Sequence, residues 1–213
     1  MKPAFLLNAV FSAALTVASG ATFAGIVDPI NDFIPSYTGV HNGDLDVVSS
    51  FVTYNPGSDT FFFSGTMNDA IGTTPSAFYV WGLDRGTGTA RFGAIATGVL
   101  FDSVVVLRLD GSATVNRLPG ATVLPGAATF AGNTISASIS GALLPTKGFA
   151  KSDYTWNLWP RDGSQPAGNG QISDFAPDNS NAPVAVVPEP SSVALLALGL
   201  GALGLRARRR NAA

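Results

Sequence analysis

His41 is the single histidine of the 213-residue chain, and Asp44 and Asp46 follow it closely enough that a Ser-His-Asp arrangement could be drawn with one of the many serines. No Gly-x-Ser-x-Gly elbow accompanies it, so an ordinary loop histidine is the simpler reading. Cysteine is absent, which excludes thiol nucleophiles, Cys-x-x-Cys redox pairs, iron–sulfur centres and cysteine-rich zinc sites. Glutamate does not occur before Glu189, so paired-carboxylate glycoside hydrolysis would have to run on aspartates. Asp44 and Asp46, two apart, would share one face of a strand there, solvated and ordinary. No catalytic residue is assigned; the expectation is a protein that is not an enzyme, with an Asp-dependent hydrolase as the weakest alternative.

Oxygen donors are better supplied. Asp and Asn gather in loops at 42–44, 55–59, 68–69, at Asp162 and over 174–181, and calcium takes hard oxygen ligands from such loops. Neither the twelve-residue EF-hand pattern nor a Gly-Asp nonapeptide repeat is present, and β-turns require the same residues. Structural calcium is therefore the one cofactor considered, without an assigned ligand set. Aromatic residues offer a second binding chemistry. Tyr154 and Trp156 alternate onto one strand face with Trp159 close by, and exposed rings there would stack on sugars while Asp153, Asn157 and Asp162 bond hydroxyls. Core packing of the same rings is the competing account. Trp81 lies mid-strand and reads as core.

Charge excludes one partner class. Between residues 25 and 189 there are seven basic residues against fourteen acidic ones, so nucleic acid is not expected. The same stretch is rich in Gly and Pro and contains no helical periodicity over three turns. Residues 45–54 and 60–66 read as a hairpin around Asn55-Pro56-Gly57-Ser58-Asp59. Residues 77–83 and 90–96 suggest a second. Residues 100–109 alternate, with Phe101, Ser103, Val105, Leu107 and Leu109 inward, and 134–140 alternate with Ile135, Ala137 and Ile139 inward. Shorter strands are expected near 114–118 and 153–158. Seven to nine short strands point to an all-β domain over 25–178, an antiparallel β-sandwich or jelly roll, with a small barrel as runner-up. Residues 179–187 read as a linker.

Both ends read as processing signals. Lys2, the apolar run 4–18 and the small residues 18–24 predict a secretory signal peptide over 1–24, with cleavage after Ala24 as the first choice and after Gly20 or Ala21 as alternatives. At the other end, Pro188, Glu189 and Pro190 precede an uncharged run over 191–205 and a tail, 206–213, holding Arg206, Arg208, Arg209 and Arg210. That run is expected to be a transmembrane helix stopped by the arginines, although fifteen residues reach only about 22 Å of a roughly 30 Å hydrocarbon layer. Two prolines keep the tripeptide extended and outside the helix.

The tripeptide, apolar run and basic tail, in that order at 188–213, resemble the PEP-CTERM sorting signal of Gram-negative exopolysaccharide-producing bacteria. The resemblance implies that an exosortase, a membrane-embedded cysteine transpeptidase, cuts near Pro188, Glu189 and Pro190, and that the secretion machinery and transiently the membrane are partners. Gly43-Asp44-Leu45-Asp46-Val47, Tyr79-Val80-Trp81-Gly82 and the segment 153–160 resemble a lineage of bodies attached to this signal, which implies no activity. The expected path is export, an inner-membrane intermediate, then the cell surface or extracellular space. The expected role is structural or adhesive within an exopolysaccharide or biofilm matrix, with a carbohydrate-binding module as the alternative.

Overall fold

The computed structural model describes residues 25–93, 95–187, 196 and 198–201. In chain order its strands are β1 (Ile26–Val27), β2 (Val47–Asn55), β3 (Thr60–Met67), β4 (Ala77–Asp84), β5 (Thr89–Ala90), β6 (Leu100–Phe101), β7 (Ser103–Arg108), β8 (Ala113–Asn116), β9 (Ala121–Leu124), β10 (Ala128–Ala131), β11 (Thr134–Ser140), β12 (Thr155–Asp162), β13 (Ala182–Pro183) and β14 (Ala185–Val186). One six-stranded sheet runs β1-β2-β3-β11-β10, with β14 also on β2; a second runs β13-β12-β4-β7-β8-β9; β5 and β6 form a two-stranded sheet.

The β2–β3 hairpin forms as the turn chemistry dictates. The Asn55 side-chain oxygen accepts the backbone N–H of Gly57 at 2.9 Å and of Ser58 at 3.2 Å, and Asp59 takes a left-handed φ of 46°. Alternation then decides the core. Val52, Phe61, Phe63, Ile135 and Ile139 of the first sheet meet Tyr79, Trp81, Leu83, Val105, Trp156 and Leu158 of the second in one apolar cluster. The other face of the second sheet has its own cluster, in which Val80 and Trp159 pack with Phe92, Val99, Phe101, Ile172 and Phe175. The β4 run is thus buried on both sides, which is why it reads as continuously apolar.

Gly82 sits in β4 where a Cβ would collide with the Trp159 ring. Gly82→Ala is therefore expected to cost about 1–3 kcal/mol through forced repacking, read as a lowered urea midpoint with an unchanged slope.

Several expectations need correction. The protein is β-rich, but the antiparallel β-sandwich or jelly roll, and the barrel beside it, do not form: both large sheets stay open, and β14 lies parallel to β2, so the first sheet is mixed. Segment 100–109 is split at Asp102, whose carboxylate is used by Arg85. The antiparallel partners of β4 are β7 and β12, not 90–96, of which only Ala90 is paired among the described residues, with Leu100. The transmembrane helix expected over 191–205 is also corrected. Among the described residues no helix is long and apolar enough to cross a membrane, and the helical positions there are 196 and 198–201. The arithmetic already pointed this way, since fifteen residues fall short of the hydrocarbon thickness. The signal peptide over 1–24, the tripeptide Pro188, Glu189 and Pro190, and the tail with Arg206, Arg208, Arg209 and Arg210 lie outside the described residues.

Segment 179–187 is docked rather than loose. Asn179 accepts the N–H of Gly98 at 2.7 Å, Asn181 exchanges hydrogen bonds with the Leu100 backbone, and Val184 and Val187 donate to the Tyr154 and Tyr54 carbonyls, each at 2.9 Å. Ala182 and Val184 are buried in the main core, which supplies the reason.

Candidate metal centre and sorting segment

The chain enters along β2. β1 pairs with Ser49 and Ser50, and the backbone N–H of Asp28 donates to the Val48 carbonyl at 2.9 Å, which lays the next turn against the start of the strand. Asn31 has a left-handed φ of 62°, and its N–H points at both carboxylate oxygens of Asp46, at 3.1 and 2.9 Å. Asp46 closes the 3-10 turn Gly43–Leu45 and also receives the Asn68 side-chain amide at 2.9 Å. From the far end of the chain, Asp174 accepts the N–H of Val47 at 2.9 Å and that of Phe175 at 2.6 Å.

These bonds bring five carboxylates together. Oxygens of Asp28, Asp32 and Asp178 lie within 4.8 Å of one another, as do those of Asp32, Asp46 and Asp174, so Asp32 belongs to both groups and such clusters can hold a metal ion. Asp46 and Asp174 are fully buried, Asp28 is only 7% exposed, Asp32 is half-buried and Asp178 faces solvent. Oδ2 of Asp28 and Oδ1 of Asp32 are buried without any hydrogen-bond partner. Among the described residues the ion pairs are Arg85 with Asp102 and Lys151 with Asp59, so no basic side chain neutralises the cluster.

The electrostatic consequence follows. Burial, and then the charges of Asp174, Asp32, Asp178 and Asp46, push the Asp28 carboxyl up to about 8. Burial pushes Asp174 up to about 7, against the hydrogen bonds from Val47 and Phe175 and with Asp32 and Asp46 adding to it. Asp32 is raised as well, by burial first.

The residues singled out in the sequence fare differently. Asp46, Asp174 and Asp178 are brought together, whereas Asp44 is not: it accepts the N–H and hydroxyl of Thr74, both at 2.7 Å. Both Asp44 and Asp46 are fully buried, which corrects their expected solvated strand position. His41 is exposed and stacks on Phe33 with ring centroids 4.2 Å apart; no aspartate or serine is hydrogen-bonded to it among the described residues. Asp162 is satisfied by neutral donors, Ser76 at 2.6 Å and Tyr37, Ser164 and Gln165 besides, and stands apart from the cluster.

The glycan-stacking patch is not formed. Tyr154 is 0% exposed and Trp156 and Trp159 are each 1% exposed. Tyr154 donates to the Leu144 carbonyl and Trp156 to that of Pro183, while Trp159 packs among Phe92, Phe101 and Phe175. Asn157, expected to bond sugar hydroxyls, instead binds the carbonyls of Pro177 and Ser180. These large rings fill two cores because the second sheet is covered on both faces.

Asp28 and Asp32 were missed by reading loops alone, since they sit in an arm with no regular structure. Their signal is the apolar setting of Ile26, Phe33 and Ile34, which pack on the core, dock the arm and carry both carboxylates inward.

No match exists among curated proteins or among solved structures. Residues 186–210, beginning in β14, match the PEP-CTERM protein-sorting motif, and the chain therefore carries the sorting signal of an exosortase substrate and is an exported protein directed to the cell surface.

Proposed function

We propose that the protein is a structural or adhesive component of the extracellular polysaccharide matrix, without catalytic activity, delivered there by secretion and exosortase processing after an inner-membrane intermediate. The sorting motif at 186–210 carries this reading. The first sheet supports it. The face of that sheet turned away from the core presents Thr66, Thr134, Ser136 and Ser138 beside Phe51 and Phe62, with Thr53 and Ser64 buried among them, and none of β2, β3 or β11 holds a charged residue. A neutral, hydroxyl-rich surface with a pair of phenyl rings suits contact with uncharged polymer better than it suits recognition of one small ligand. Calcium is the cofactor this reading expects, since an extracellular protein meets it and hard oxygen donors take it.

The test is intact mass spectrometry of native protein recovered separately from cell envelope and matrix. The expected product from the matrix lacks the N-terminal 24 residues and ends near Glu189, and Glu189→Ala leaves the chain unprocessed in the envelope. Recovery solely from the inner membrane, with Arg206 to Arg210 intact in the native protein, would overturn the reading.

A further inference from the structure

We infer that Asp28, Asp32, Asp46, Asp174 and Asp178 form one calcium site that clasps the N-terminal arm to the segment leading into the C-terminus. The cluster alone would not justify this, because acidic groups also gather without an ion. The deciding observation is the Asp28 side chain. It is more than nine-tenths buried, one oxygen has no donor, and it offers an oxygen within 4.8 Å of those of Asp32 and Asp178. A buried carboxylate oxygen without a partner is costly, and the ordinary remedies are a donor N–H, a basic side chain, or a cation. The first is absent at Asp28 Oδ2 and Asp32 Oδ1, and the second is absent from the whole cluster.

The donor set selects the ion. Five carboxylates and no histidine or cysteine make a hard, all-oxygen site, which excludes ions that prefer nitrogen or sulfur. Calcium accepts six to eight oxygens in irregular geometry, whereas magnesium demands a tight octahedron and keeps most of its water. Asp46 and Asp174 are held by backbone N–H groups, so their orientation is fixed before any ion arrives. Exposed Asp178 leaves a side open to solvent, through which the ion enters.

The placement gives the ion a mechanical role. Asp28 and Asp32 come from the arm, Asp46 from the turn before β2, and Asp174 and Asp178 from the stretch before β13. Without a cation these pieces repel one another across the join made by the Ile34 N–H to Ser173 carbonyl bond, 2.9 Å long. With calcium they are drawn together. The identity of the ion rests on the extracellular placement proposed above, but the existence of the site does not.

The test uses the purified full chain, stripped with chelator, desalted and titrated with CaCl2 in a calorimeter, with MgCl2 as comparison. The expected result is one calcium per chain with a Kd of about 10⁻⁴–10⁻³ M or tighter, as extracellular modules show, and weaker binding of magnesium. Saturating calcium is expected to raise the melting temperature by on the order of 5 °C. Asp32→Asn is the informative variant because Asp32 belongs to both groups of carboxylates. It is expected to weaken calcium binding at least 100-fold and, in chelator, to melt higher than the unchanged protein because it removes one of the repelling charges. Asp110→Asn, at an exposed turn, is expected to leave both readings unchanged.

No heat and no melting shift with calcium would sink the site. So would an Asp32→Asn variant that binds calcium as the unchanged protein does, or one that melts lower in chelator. A protein that binds calcium in this way yet is found intact in the inner membrane keeps the site and loses the matrix role. The converse result loses the site and keeps the matrix role.

Discussion

Arg85→Ala is expected to destabilise the protein by about 3–5 kcal/mol, the range for removing one partner of a buried ion pair. Arg85 is fully buried, and its Nε donates to Asp102 at 2.6 Å. Its other nitrogens reach the carbonyls of Pro145, Asp102 and Arg117, at 3.1, 3.4 and 3.4 Å, and its own carbonyl accepts the N–H groups of Lys147 and Phe149. One planar group thus joins four pieces of chain at one end of the second sheet. Lysine has no fork to divide among them, so Arg85→Lys is expected to recover less than half of the loss. The pair also has a pH signature. Burial pushes the Asp102 carboxyl up, but the hydrogen bonds from Arg85 and Thr87 and the Arg85 charge outweigh it and hold the group below its usual value. Its stabilisation is therefore full above about pH 4 and is lost as pH falls through the lowered value. Urea titrations should show the gap between Arg85→Ala and the unchanged protein narrowing as pH falls below the ordinary carboxylate range. A variant within about 1 kcal/mol of the parent at pH 7 would mean that water replaces the guanidinium without cost.

The second large effect has the opposite sign. In chelator, stability is expected to fall as pH rises from 5 to 8. Asp28 and Asp174 have folded-state values of about 8 and about 7 against an ordinary 3.8. A raised carboxyl binds its proton more tightly in the folded state than in the unfolded one. Its contribution is thus complete below about pH 4 and disappears as pH climbs to the folded value. Between those limits each such group removes about 1.4 kcal/mol per pH unit, so Asp174 alone accounts for on the order of 3 kcal/mol between pH 5 and 7. Urea midpoints at pH 5, 6 and 7 in chelator check this, and a flat profile would refute it.

The β2–β3 hairpin, β4 and β11 were legible because their patterns are local: a turn with Asn and Gly, a doubly buried run, a strict alternation. The way the sheets are arranged was not, because pairing β14 with β2 joins residues far apart in sequence and leaves no trace in either segment. Asp102 broke an alternation that looked continuous, since its partner Arg85 lies in a loop whose position the pattern does not encode. The aromatic segment around Trp156 was ambiguous in principle, as stacking on a sugar and packing in a core require the same rings. The acidic cluster was half visible. Asp174 and Asp178 lie in an Asx-rich loop, but Asp28 and Asp32 gain meaning only when the arm folds back onto β2.

Val187 is hydrogen-bonded to Tyr54, and Pro188 follows it with no residue between. A body on a flexible leash would tumble and sample every orientation about its attachment point. Here the described chain is held on β2 up to the residue before the sorting tripeptide, so a docked strand rather than a loose tether leads up to the motif.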